Sequence, residues 1–274
     1  MSFSVNTNVG AMTALQSLSA TGKSLATTQT RITTGLAVSS TKDDSASYTI
    51  AQGLRGDVGS LKAVSSSLSR AKSVVDVATA GAEQISDLVN QMKAKATTAS
   101  DTGLDAASLS ANAKDFTALK DQISTVIASS SFNGTNLLSS TSAGTVKALQ
   151  STDTTAATLD VANQDFETGV TTAIGSTFTT AAGAKTMVDT LSTVSDTINA
   201  SLSTLGSASR KIDSQMTFVS KLSDTITTGI GNLVDADLAK ESANLQALQV
   251  KQQLGVQALS IANQAPQAIT SLFR

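Results

Sequence analysis

Residues 50–96 read IAQGLRGDVGSLKAVSSSLSRAKSVVDVATAGAEQISDLVNQMKAKA, and within them Ile50, Leu54, Asp57, Leu61, Val64, Leu68, Ala71, Val75, Ala78, Ala82, Ile85, Val89, Met92 and Ala96 stand alternately four and three residues apart. That alternation is the heptad seam of a coiled coil, and Asp57 is its one polar member. A continuous helix over the stretch would run roughly 70 Å at about 1.5 Å per residue, far longer than a globular helix. Asp57 reads as a solvated position beside Arg55, the alternative being a buried charge that sets register.

A second seam lies towards the other end. Val188, Leu191, Ser195, Ile198, Leu202, Leu205, Ser209, Ile212, Met216, Val219, Ser223, Ile226, Ile230 and Leu233 keep the same spacing, with small serines that permit close helix approach. Shorter helices flank both seams: Ala11, Leu15, Leu18, Gly22, Leu25, Gln29 and Ile32 near the start, and Leu245, Leu248, Gln252, Gly255, Leu259 and Ala262 near the end. A narrow apolar stripe buries surface only when a partner helix lies beside it. Segments this rich in Ala, Ser, Thr and Gly are marginal alone, so both ends are expected to order on packing and to serve as assembly surfaces.

Between the seams, a helix through Leu109, Ala113, Phe116, Leu119, Ile123 and Val126 follows the turn-like Ser100-Asp101-Thr102-Gly103 and is expected to fold back antiparallel to the first rod. Asn133-Gly134 marks a tight turn, since both residues accept positive φ. From Ser139 to about Gly183 the chain is rich in Thr, Ser, Gly and Ala with weak alternation at Thr158-Leu159-Asp160-Val161, which predicts an exposed hairpin and loop region.

What is missing narrows function further. The 274 residues contain no His, Cys or Trp and only 3% aromatics, so His or thiolate metal sites, Ser/His/Asp or Cys/His catalysis, disulfides and base-stacking platforms have no residues to build them. No cofactor, metal or enzymatic activity is expected. A formal net charge of -2, without a Lys/Arg block, gives no footprint for nucleic acid, and no apolar run reaches membrane-spanning length. The first charged side chain is Lys23, so the start lacks the basic and apolar regions of a cleaved secretory signal.

Single motifs have modest readings. Ser39-x-x-Lys42 has the spacing of a Lys-activated Ser nucleophile, but no Ser-Asp-Asn or Lys-Thr-Gly partner follows, and a helix-start turn involving Asp43 and Asp44 is the better reading. Asp235-x-Asp237 opens like a calcium loop but lacks Gly at the sixth place, leaving negative charge at a helix N-terminus as its role. Adjacent Asp43 and Asp44 would diverge on a helix and make a poor acid/base pair. Surface Ser and Thr between Ser139 and Thr180 are candidates for O-linked sugars, whereas the sequons at Asn133 and Asn199 read as turn and helix surface.

Thr30-Arg31-Ile32-Thr33-Thr34-Gly35-Leu36, followed by Ser40-Thr41-Lys42-Asp43-Asp44, resembles the bacterial flagellin signature, in which an Arg-Ile/Leu-Ser-Ser-Gly turn ends one helix and Lys-Asp-Asp opens the next. Asn6-Thr7-Asn8, Phe132-Asn133-Gly134-Thr135-Asn136-Leu137-Leu138, Asp235-Ala236-Asp237 and Ala262-Asn263-Gln264-Ala265-Pro266 through Leu272-Phe273-Arg274 are similar to that family's landmarks in its order. Five landmarks in register, over roughly 1–140 and 185–274, make the resemblance specific.

The resemblance implies a mainly α protein: a long antiparallel coiled-coil rod formed by the N- and C-terminal chains, with a small β-hairpin region in the middle. Its expected segments are 1–44 and 234–274 as the halves of an inner-tube coiled coil, 45–138 and 185–233 as the rod, and 139–184 as a short variable surface segment. The implied function is a filament subunit of the bacterial flagellum that self-polymerises, possible sister flagellins included, for swimming motility. Also implied are type III export without a cleaved signal, an export chaperone on about Leu238 to Arg274, contacts with filament cap and hook-junction proteins, and an extracellular location. Assembly residues implied are Leu15, Leu18, Leu25, Arg31, Ile32, Asp43, Asp44, Asn133, Gly134, Asp235, Asp237, Leu245, Leu248, Leu259, Leu272, Phe273 and Arg274. The rivals are a hook-filament junction protein and a soluble coiled-coil signalling rod.

Overall fold

A computed structural model describes residues 7–140, 145–152 and 158–270, with 265–270 in backbone only. The fold is mainly α: α1 (Val9–Thr34), α2 (Ser45–Ala99), α3 (Ala106–Ser129), α4 (Ala181–Val234) and α5 (Leu238–Thr270) carry most of the chain. Among the described residues, four strands form two small antiparallel hairpins, β1 (Ser131–Phe132) with β2 (Thr135–Asn136) and β3 (Val146–Ala148) with β4 (Leu159–Val161). A π-helical turn spans Glu167–Thr172. The chain divides into two compact units, one of residues 1–56 with 225–274 and one of residues 57–224.

In the unit of residues 57–224, every seam position of α2 from Leu61 to Ala96 is buried, and Asp57 is exposed. A second stripe on α2, at Ser67, Val74, Gly81 and Leu88, is buried as well. It recurs every seven residues because α2 packs against more than one neighbour. Gly81 lies against Ser130 and Leu138, and the Ser67 hydroxyl accepts the Leu149 N–H at 3.2 Å. Helix α3 returns antiparallel to α2, as the Ser100–Gly103 turn predicts, and Lys95 meets Asp115 at 2.6 Å across the pair.

The seam of α4 is shifted from the sequence reading. Leu191, Ile198, Leu205, Ile212 and Val219 are buried as expected, but their buried companions are Val194, Ser201 and Ala208, one position before Ser195, Leu202 and Ser209. Small residues at these places let α4 approach its neighbours closely, and the larger Leu202 is left half-buried. Lys72 of α2 joins the helices by reaching Asp213 at 3.3 Å and Ser209 at 2.9 Å.

The middle segment is less exposed than its composition predicts. Ala148, Val161, Phe166, Val170, Ile174 and Phe178 are buried, and Phe178 meets Phe116 of α3 edge-to-face with ring centroids 5.2 Å apart. The segment has too few apolar residues for its own core, so it lends them to the helices: Phe178 reaches α3, while the Leu149 N–H donates to Ser67 of α2 and the Gln150 carbonyl accepts from Gln215 of α4. Hydrogen bonds hold it there: the N–H groups of Gln164 and Phe166 donate to Leu137 and Leu138 carbonyls at 2.7 and 2.8 Å, and Glu167 accepts from the Ser139 hydroxyl and from Ser140.

Candidate assembly surface

The second unit is dominated by α1 lying antiparallel to α5. The register is fixed at several points. Asn8 caps α1 by accepting the Ala11 N–H at 3.0 Å, and its amide donates to the Ala262 carbonyl of α5 at 2.7 Å. Leu18 packs over Gly255, where a Cβ would come within 3.1 Å of its methyl group, so glycine permits the close approach. Arg31 Nη1 meets Glu241 Oε1 at 3.1 Å. At the end of the pair Leu36 bridges Asp235.

That last contact is a short clasp between two linkers. Gly35 ends α1 with φ 72° and donates to the Arg31 carbonyl at 2.9 Å, a left-handed stop that favours glycine. The Ala37 and Val38 N–H groups donate to Val234, at 2.7 and 3.2 Å, and Ala236 donates back to Gly35 at 2.9 Å. The carboxylates organise the helix starts on either side. Asp237 accepts the Ala239 and Lys240 N–H groups and caps α5. Asp44 caps α2 by accepting from Ala46, Ser47 and the Ser47 hydroxyl, while Asp43 reaches back to Ser39 and Ser40. The Ser47 hydroxyl and N–H hold the Asp44 carboxyl below its ordinary value, and the Ser39 hydroxyl and N–H do the same for Asp43. The Ser39 hydroxyl donates to Asp43, which accounts for the Ser39-x-x-Lys42 motif as a turn.

Burial along the pair corrects the expected N-terminal seam. Half-buried or buried residues on α1 are Ala11, Ala14, Leu18, Thr21, Gly22, Leu25, Thr28, Arg31 and Ile32, with Thr28 only 6% exposed, whereas the expected Gln29 is exposed and Leu15 is 58% exposed. On α5 the expected seam is the one that faces inwards: Leu245, Leu248, Gly255, Leu259 and Ala262 are half-buried, with Gln252 exposed. Glu241 extends that seam and is 8% exposed. Sequence reasoning passed over it, although stepping four residues back from Leu245 lands on it, and a charge on an apolar seam signals a partner such as Arg31.

Outside this seam the pair displays apolar side chains to solvent. Val9, Met12 and Leu15 on α1, and Leu238, Val250, Leu254, Val256 and Ile261 on α5, are each about half exposed or more. Among the described residues of this unit these side chains stay exposed. Of the other implied residues, Asn133 and Gly134 lie apart in the unit of residues 57–224, forming the β1–β2 turn with φ 50° and 78°. Leu272, Phe273 and Arg274 lie outside the described residues.

Two family models match this chain: the bacterial flagellin N-terminal helical region over residues 5–143 and the bacterial flagellin C-terminal helical region over residues 186–273. The chain belongs to the bacterial flagellins. It is a structural subunit of the flagellar filament and not an enzyme. Flagellin FljK of Caulobacter vibrioides is 46% identical over 271 residues, which is 99% of this chain and 98% of that one. A flagellin of Brucella melitensis is 38% identical over 288 residues, covering 99% of each. The crystal structure of Bacillus cereus flagellin is similar in fold, with a TM-score of 0.51 at 24% identity over 55% of this chain and 86% of that chain. Full-length similarity to flagellins of this size fits a chain without large outer domains.

Proposed function

We propose that this flagellin polymerises through the solvent-facing apolar surface of its paired α1 and α5 helices, with segments 1–44 and 234–274 forming the inner layer of the filament and 139–184 lying towards the outside. The observation that carries this reading is the row of exposed Val250, Leu254 and Ile261 on a helix already paired on its other side. Burying such a row against further copies contributes association free energy at about 25 cal/mol per Å² before ordering costs. Subunits repeat the same heterologous contact, which extends a filament because it does not close into a ring.

Before assembly the same surface needs cover. An export chaperone on the segment from about Leu238 onwards fits that need. Cap and hook-junction proteins would then meet the two ends of the filament. Several flagellins of Caulobacter vibrioides are about equally similar to this chain, which supports sister subunits sharing one filament.

The test is seeded elongation of Val250→Asp with Leu254→Asp. Both side chains face solvent, so helicity and α1–α5 pairing should persist while growth on filament seeds, followed by electron microscopy, is lost. Normal filaments from this variant would refute the assigned surface.

A further inference from the structure

We propose that Met12 is an oxidation-sensitive site at which conversion to the sulfoxide weakens this subunit's addition to the filament. This inference rests on the assembly surface proposed above. Met12 is 66% exposed, whereas Met92 is fully buried and Met187 and Met216 are half-buried. It stands between Val9 and Leu15 on the outward side of α1. Met12 is therefore a soft, flexible member of an apolar patch, well suited to fill an interface and equally open to an oxidant while the subunit is free.

The chemistry is a two-electron oxygen transfer. With hydrogen peroxide as oxidant, a lone pair of the Met12 thioether sulfur attacks one peroxide oxygen, the O–O bond breaks, and the departing hydroxide takes the proton carried by the transferred oxygen and leaves as water. The product is a polar, chiral sulfoxide, reversible by methionine sulfoxide reductases with a thiol reductant. No charged side chain precedes Lys23 to meet that new dipole from within α1. An unpaired polar oxygen buried between subunits opposes association, and a roughly tenfold weaker addition is expected.

The experiment treats the purified full chain with graded hydrogen peroxide, assigns each sulfoxide by fragment-ion mass spectrometry, and measures elongation on untreated filament seeds. Met12 should be oxidised well ahead of Met92, Met187 and Met216, elongation should fall in proportion to Met12 sulfoxide, and reductase treatment should restore it. Met12→Leu keeps the other methionines, Met1 included, and should elongate before and after peroxide. Should that variant fail to elongate untreated, reductase rescue of the unsubstituted chain decides alone. The proposal is overturned if Met12 is spared while other methionines oxidise, or if subunits carrying Met12 sulfoxide enter filaments at the untreated rate. Failure of untreated, unsubstituted protein to grow on seeds would instead count against the assembly reading itself.

Discussion

The same substitution should have opposite effects at two glycines of α2. In a helix interior, Gly→Ala stabilises by up to about 1 kcal/mol, since alanine has less backbone freedom to lose. At Gly59 an added Cβ meets nothing within 4 Å, so Gly59→Ala should gain roughly that amount. At Gly81 the Cβ would lie 2.2 Å from Ser130 Oγ, 3.1 Å from Ser130 Cβ and 3.0 Å from a Leu138 methyl. Rotating the Ser130 hydroxyl away relieves the first contact but breaks its 2.7 Å bond to the Val126 carbonyl, leaving a buried polar group at a cost of about 1 kcal/mol. The remaining two contacts need the hairpin and α3 to move, and overpacking of this kind costs about 1–3 kcal/mol. Gly81→Ala should therefore be net destabilising by roughly 1–3 kcal/mol after the helix gain is set against these costs. Urea unfolding of the monomer by circular dichroism measures both variants, and the Gly81 cost should shrink in a Ser130→Ala background. A Gly81→Ala protein as stable as Gly59→Ala would show that the reasoning about α2, Ser130 and Leu138 is wrong.

Asn136 donates to the Ile127 carbonyl at 2.6 Å and accepts the Leu138 N–H at 2.8 Å while buried, so Asn136→Ala should cost roughly 2–4 kcal/mol in urea denaturation by stranding both backbone groups. Leu248→Asp with Leu259→Asp places charge in the α1–α5 seam; polymerisation should be abolished with residues 57–224 still folded, checked by protease resistance and electron microscopy. The folded-state values of Asp43, Asp44 and Asp105 lie below their ordinary one, so their contribution is present above the usual carboxylate value near 3.8 and is lost as pH falls through the lowered folded values. Hydrogen exchange should report faster opening at the starts of α2 and α3 in that acid range, and Asp105→Asn should remove the response at α3 alone.

The long seam of α2 was legible because its positions are apolar without a break from Leu61 to Ala96 and all of them are buried, whereas the second buried stripe, with Ser67 and Gly81 in it, carries little hydropathy signal. On α1 the same rule misplaced Leu15, since the outward face is also apolar and the true seam passes through Ala14, Thr21 and Thr28, whose small side chains carry little hydropathy signal. The α4 seam slipped by one for a related reason: Ser201 and Ala208 are buried because they are small, while Leu202 is half-buried. Turns were easier, because Asn133-Gly134 and Gly35 need positive φ that other residues resist. The core role of Phe166 and Phe178 was hidden, since isolated aromatics in a polar stretch have no period to reveal which helix receives them. The Arg31–Glu241 pair joins residues 210 apart, a link that no local pattern encodes.

The pairing of α1 with α5 also sets an order of events. The partner of the first helix is the last helix, and their loop spans almost the whole chain, so the contact is among the most non-local a chain of this length can make. A chain entering from its N-terminal end would deliver α1 well before the residues that fit against Leu18 and Arg31. Until α5 arrives, α1 is a marginal helix with no mate. The paired surface thus works as a completeness test, for a chain broken anywhere between Gly35 and Asp237 could not form it from one covalent piece.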